Sequence, residues 1–107
     1  MTEPMKLNNP LNLRELINQV ADRFEEQSGM KVTALAREEL IKPALPYRDQ
    51  VLRELNTGEI TIEFLESSIF SVLERARQIA IRIGQDHVGE NTTQESMQEK
   101  CPYLFWC

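Results

Sequence analysis

Histidine and tryptophan each occur once in this 107-residue chain, glycine four times, and cysteine only twice, at positions 101 and 107. Each scarcity removes a class of chemistry. With His87 as the sole imidazole, most acid–base schemes have no partner group. Four scattered glycines make no phosphate-cradling loop. No serine–histidine pairing or paired carboxylates stand out, so no catalytic residue is expected and the chain does not read as an enzyme.

The cysteines are too few for a structural zinc site, which takes four ligands, commonly with two at Cys-x2-4-Cys spacing. Cys101 and Cys107 are separated by five residues, and His87 is the only other soft ligand apart from methionine. A metal or redox centre on these three residues needs carboxylates or a second copy to complete it. The simpler expectation is free thiols, a solvated His87 in a turn, and no cofactor.

Long hydrophobic runs are missing too. Nothing approaches the length that crosses a bilayer, and neither a signal-peptide pattern nor a prenylation motif is present. The expectation is a soluble, cytoplasmic protein. Positive charge is short as well: 12 Lys and Arg against 17 Asp and Glu leave a net charge of −5. This disfavours a general nucleic-acid binder, whose phosphate contacts require a basic surface. The acidic excess gathers toward both ends, while the middle is nearly balanced.

What is present is globular. Apolar residues make up 41% and charged residues 27% of the chain, and the length suits one domain. Residues 1–10, with Pro4 and Pro10, read as a flexible segment ahead of a single helical domain over 11–107.

The longest pattern runs from Ile62 to Ile83. Ile62, Leu65, Ile69, Val72, Ala76, Ile79 and Ile83 recur at steps of three and four, one stripe of a helix about 33 Å long. Thr61 is a natural N-cap and Gly84 a natural stop. Glutamates at the start and arginines toward the end complement the helix dipole. Leu73 and Ala80 broaden the stripe, Phe70 and Ile81 share a second face, and Phe64 lies on another. Such girth predicts a central helix packed on several sides.

A first helix is expected over 13–28, capped by Asn12 and closed by Gly29. A second should run from Thr33 to about Lys42, stopped by Pro43. A third begins at Pro46 and ends at Asn56-Thr57-Gly58, and a short one follows Thr92 up to Lys100. The pattern of glycine, short link, branched residue and threonine occurs at Gly29–Thr33 and again at Gly58–Thr61. The fold class is therefore all-α: a compact single-domain bundle of four to five helices around 62–83.

Two features invite a functional reading. Segment 101–107 holds three of the seven aromatic residues. Tyr103, Leu104, Phe105 and Trp106 need burial, on the body of the domain or on a partner. With Phe70 and Ile81 they form the expected interaction surface of a small regulator or adaptor, a homodimer in the simplest case. Segment 33–55 offers the alternative, a helix-turn-helix-like DNA reader with Arg48, Gln50 and Arg53 facing outward. Its charges nearly cancel, and its turn lacks the usual glycine. Membrane contact is not expected of an acidic chain without a basic face.

Overall fold

The computed structural model describes residues 12–100, which form an all-α domain with one two-stranded clip. The helices are α1 (Leu13–Ser28), α2 (Ala34–Ala44), α3 (Arg48–Thr57), α4 (Ile62–Ile83) and α5 (Glu90–Lys100). A 3-10 turn over Leu45–Tyr47 joins α2 to α3, and the strands are β1 (Lys31–Val32) and β2 (His87–Val88). The expected fold class is the observed one. Residues 1–11 and 101–107 lie outside this description, and with them fall the expectations placed on segment 1–10.

Local sequence accounts for most helix boundaries. The Asn12 side chain accepts from the Glu15 amide at 3.0 Å, satisfying one of the unpaired N–H groups that open α1. Thr33 does the same for Ala36 and Thr61 for Phe64. Gly84 closes α4 at φ 83°, a left-handed conformation that side chains resist and glycine adopts freely.

Three boundaries differ from expectation. Helix α2 passes through Pro43 to Ala44, and the Leu45 amide resumes the ladder by donating to Ile41 O. Proline removes one donor, but Leu40, Ile41 and Ala44 are all fully buried, and this tertiary packing outweighs the lost bond. The third helix does not begin at Pro46; that residue lies inside the 3-10 turn. Thr92 does not cap α5 from outside. It sits at the third helical position, where its Oγ1 accepts from the Gly89 amide at 3.0 Å.

The strands are the element the periodicity missed. They pair in parallel, Lys31 with His87 and Val32 with Val88, and the Thr33 amide extends the pairing to Val88 O at 3.1 Å. Each strand is two residues long, too short to show alternation. Val32 and Val88 are buried beneath the clip. The true counterpart of the Gly29–Thr33 joint is thus the Gly84–Gly89 joint. At Gly58 the chain instead turns back on α3, with the Glu59 amide on Glu54 O.

The clip draws α1 and α2 onto α4 and α5. The core gathers Ile17, Val20 and Phe24 of α1, Leu40 and Ile41 of α2, and Leu65, Ile69, Val72, Leu73 and Ala76 of α4. The stripe on α4 is core along its middle; Ile62 is only partly buried, and Ile83 at the far end is 51% exposed.

Candidate interaction face

Helix α4 is covered along two flanks. α5 lies along one, where the fully buried Ser96 donates its hydroxyl to Val72 O at 2.6 Å and Arg75 meets Glu99 at 2.7 Å. α1 lies along the other, where Arg23 pairs with Glu66 at 3.6 Å and the Phe24 ring meets the Phe70 ring. The remaining strip faces outward. The expectation of a central helix packed on several sides therefore holds for two flanks and fails for the third. The reason is numerical: among the described residues, α2 and α3 are engaged elsewhere and no helix is left to cover it.

Successive turns of this side carry Phe64, Ser67, Ser71, Glu74, Gln78 and Ile81, with Phe64 at the edge toward α5 and Ile81 at the opposite edge beside Phe70. Phe64 is 40% exposed and Ile81 55%. Between them the serines are small, and a shallow hollow of about 320 Å³ lies over Ser67, Phe70, Ser71, Glu74, Arg75 and Gln78. Large apolar side chains at both ends of a polar, small-residue middle form a surface that can receive another helix.

The ions of the strip are arranged along its sides. Glu74 accepts from Arg77 at 2.8 Å and 3.2 Å, and this bond holds its carboxyl below the usual carboxylate range. Arg75 is fixed by Glu99, which raises its already high affinity for the proton. Arg82 reaches Glu95 at 3.4 Å. All are partly solvated pairs, easily exchanged for others.

The residues singled out in the sequence separate in space. Ile81 is on the outward strip. Phe70 stands at its edge, half-buried and packed on Phe24, so it serves the core and the face together. Tyr103, Leu104, Phe105 and Trp106, and both Cys101 and Cys107, lie outside the described residues. His87 is in β2 and not in a free turn; its Nδ1 lies 3.0 Å from Asp86, whose carboxyl that contact holds low. Among the described residues no group of three or more His, Cys, Asp or Glu could hold a metal ion.

The residues expected to read DNA lie along α3 beside acidic groups. Arg48 lies 3.6 Å from Asp49, and Gln50 donates to Glu54 at 3.1 Å. Arg53 is exposed on the same helix, among these acidic neighbours. No described helix is long and apolar enough to cross a membrane.

One charged cluster escaped the sequence reading. Arg37 donates to Val32 O at 3.2 Å, to Asp22 at 2.8 Å and to Asn18 at 3.4 Å, while Glu25 lies 3.1 Å from it. Glu25 in turn accepts the Val32 amide at 2.7 Å. The guanidinium thus ties β1 to α1 and α2, lining a cleft between the two helices. Every group in it has a partner within the cluster, which makes it a brace for the clip. Its members lie up to nineteen residues apart, a spacing that no helical pattern reveals.

No family model, curated protein or solved structure matches the chain.

Proposed function

We propose that this protein is a non-enzymatic interaction module, a small regulator or adaptor of the cytoplasm, that acts by self-association through the outward strip of α4 together with segment 101–107. The observation that carries the reading is the exposure of Phe64 and Ile81 on the side of the longest helix away from α1 and α5. A helix face about 33 Å long and about 10 Å wide offers a footprint of roughly 350 Å². Stable interfaces bury about 800 Å² per partner, so the strip alone supports a weak, concentration-dependent association. Aromatic side chains bury about 150–250 Å² each, and Tyr103, Phe105 and Trp106 supply area of that order.

Light scattering on the full chain and on a chain ending at Lys100 tests the reading. The full chain is expected to associate as concentration rises, and the shorter chain to associate less. A full chain that stays monomeric at every concentration disposes of it. The DNA-reading alternative has no comparable support, because the acidic neighbours of Arg48, Gln50 and Arg53 weaken any phosphate contact there.

A further inference from the structure

Helix α5 ends at the rim of the hollow on α4. Glu95 meets Arg82 at 3.4 Å and Glu99, one turn later, meets Arg75 at 2.7 Å, so α5 runs back along α4 from its far end toward its middle. Ser96 fixes the same stretch to Val72 O. Arg75 is itself a wall of the hollow. The chain therefore leaves α5 beside the hollow, with the seven residues of segment 101–107 still to follow. Pro102 disfavours a helical Cys101, which works against α5 continuing along its own axis.

Reach and chemistry both suit this segment to the hollow. An extended chain spans at most about 3.3–3.6 Å per residue, so the segment reaches about 23–25 Å. From Ser67 to Gln78 the hollow is about 17 Å long at 1.5 Å per residue. The segment carries no charged side chain. The ions around the hollow are already paired, Arg75 with Glu99 and Glu74 with Arg77, and Gln78 accepts from Arg75 at 3.2 Å. A neutral occupant strands none of them, whereas a charged one meets only ions that already have partners. Phe70 presents part of its ring on the wall across from Arg75, and Phe64 stands 40% exposed at the edge toward α5. These rings offer aromatic side chains an edge-to-face partner, and Arg75 offers a cation. The hydroxyls of Ser67 and Ser71 suit the Trp106 indole N–H and the Tyr103 phenol, groups that take a hydrogen-bond partner once buried.

From these relations we infer that the hollow on α4 receives segment 101–107 of its own chain, with Tyr103, Phe105 and Trp106 supplying the aromatic cover. Seated there, the segment closes the side of α4 that α1 and α5 leave open, the flank that the apolar girth of this helix calls for. The inference goes beyond self-association and stands without it. A chain with its segment docked presents one composite face, wider than α4 alone, whether or not a second copy binds it.

Trp106 is the only tryptophan, so its fluorescence in the full chain reports on the segment alone. The wild type is expected to emit to the blue of N-acetyltryptophanamide in water and to be quenched by acrylamide severalfold less. Both signs should persist at dilutions where sedimentation shows a monomer. Ser71→Arg, which puts a long charged side chain into the hollow, is expected to shift the emission to the red and raise quenching severalfold while circular dichroism stays that of the wild type. Ser67→Arg, at a more exposed position, should do the same and serves where Ser71→Arg does not fold. Leu35→Arg, at an exposed residue of α2, should leave the emission unchanged. A Trp106 as accessible as the free indole overturns the inference, and so does an emission that neither serine variant moves. Blue emission that vanishes on dilution to the monomer overturns it too, assigning the segment to a second copy and leaving self-association intact. A wild type that is monomeric throughout, with Trp106 shielded and released by the serine variants, sinks self-association and supports this docking.

Discussion

Ser96 donates a hydrogen bond from its hydroxyl to the carbonyl of Val72 across 2.6 Å, in a place where neither residue is reached by solvent. This bond fixes the height of α5 on α4. A helical carbonyl has two lone pairs, so Val72 O accepts from Ser96 without leaving its own ladder. Ser96→Ala should therefore cost about 1 kcal/mol, the worth of one hydrogen bond without a stranded acceptor. Ser96→Val should cost more, about 1–3 kcal/mol, because two methyl groups must fit where one hydroxyl did. Urea unfolding of the two variants checks the order; equal losses would contradict the packing described.

Phe24 and Phe70 form the matching contact on the opposite flank, with ring centroids 5.1 Å apart at an interplanar angle of 72°. Edge-on rings gain about 0.5–1.5 kcal/mol beyond their burial. Phe24 is fully buried, so Phe24→Ala should cost about 3–5 kcal/mol. Phe70→Ala should cost less, since part of that ring faces outward. The double variant should fall short of the sum by the pair's own contribution, which a double-mutant cycle measures. An additive result would mean that Phe70 belongs to the outward face alone.

The helices were legible because their signals are local. Thr61, Gly84 and the stripe from Leu65 to Ile79 lie close together in the chain and act through short-range hydrogen bonds and a single periodicity. The strands were not, since two residues cannot show alternation and the pairing of Val32 with Val88 depends on fifty-five residues of intervening fold. Pro43 misled for a related reason: its local cost is real, but the burial of Ala44 that offsets it is tertiary. The face was half legible. Periodicity placed Phe70 and Ile81 on one side of α4, yet only the positions of α1 and α5 decide which of them the core claims.

Gly84 tests a local signal in isolation. It holds φ 83°, and a Cβ built there meets nothing within 4 Å. Any cost of Gly84→Ala is consequently backbone strain, about 1–2 kcal/mol for a side-chain-bearing residue in the left-handed region. Gly89→Ala should act differently, since its Cβ comes within 3.3 Å of the His87 ring and must displace it. Thermal unfolding should show the Gly84→Ala loss. Only Gly89→Ala should move the His87 ring resonances, and a shifted imidazole in Gly84→Ala would contradict the distinction.

Acid should weaken one ion pair on the surface of α4. The bond from Arg77 holds the Glu74 carboxyl below its ordinary value of 4.5, so the folded chain binds that proton less readily than the unfolded one. A depressed carboxylate contributes stability above its unfolded pKa and loses it as pH falls through the folded value. The Glu74–Arg77 pair should therefore stabilise fully at neutral pH and fade below about 4.5. Both side chains are about a third exposed, so solvent screens the pair and the effect on the unfolding midpoint should be small. Glu74→Gln should lower stability at pH 7 and leave it nearly unchanged at the lowest pH where the fold persists, flattening that part of the acid limb. A Glu74→Gln loss of the same size at both pH values would show that the residue acts through packing and not through its charge.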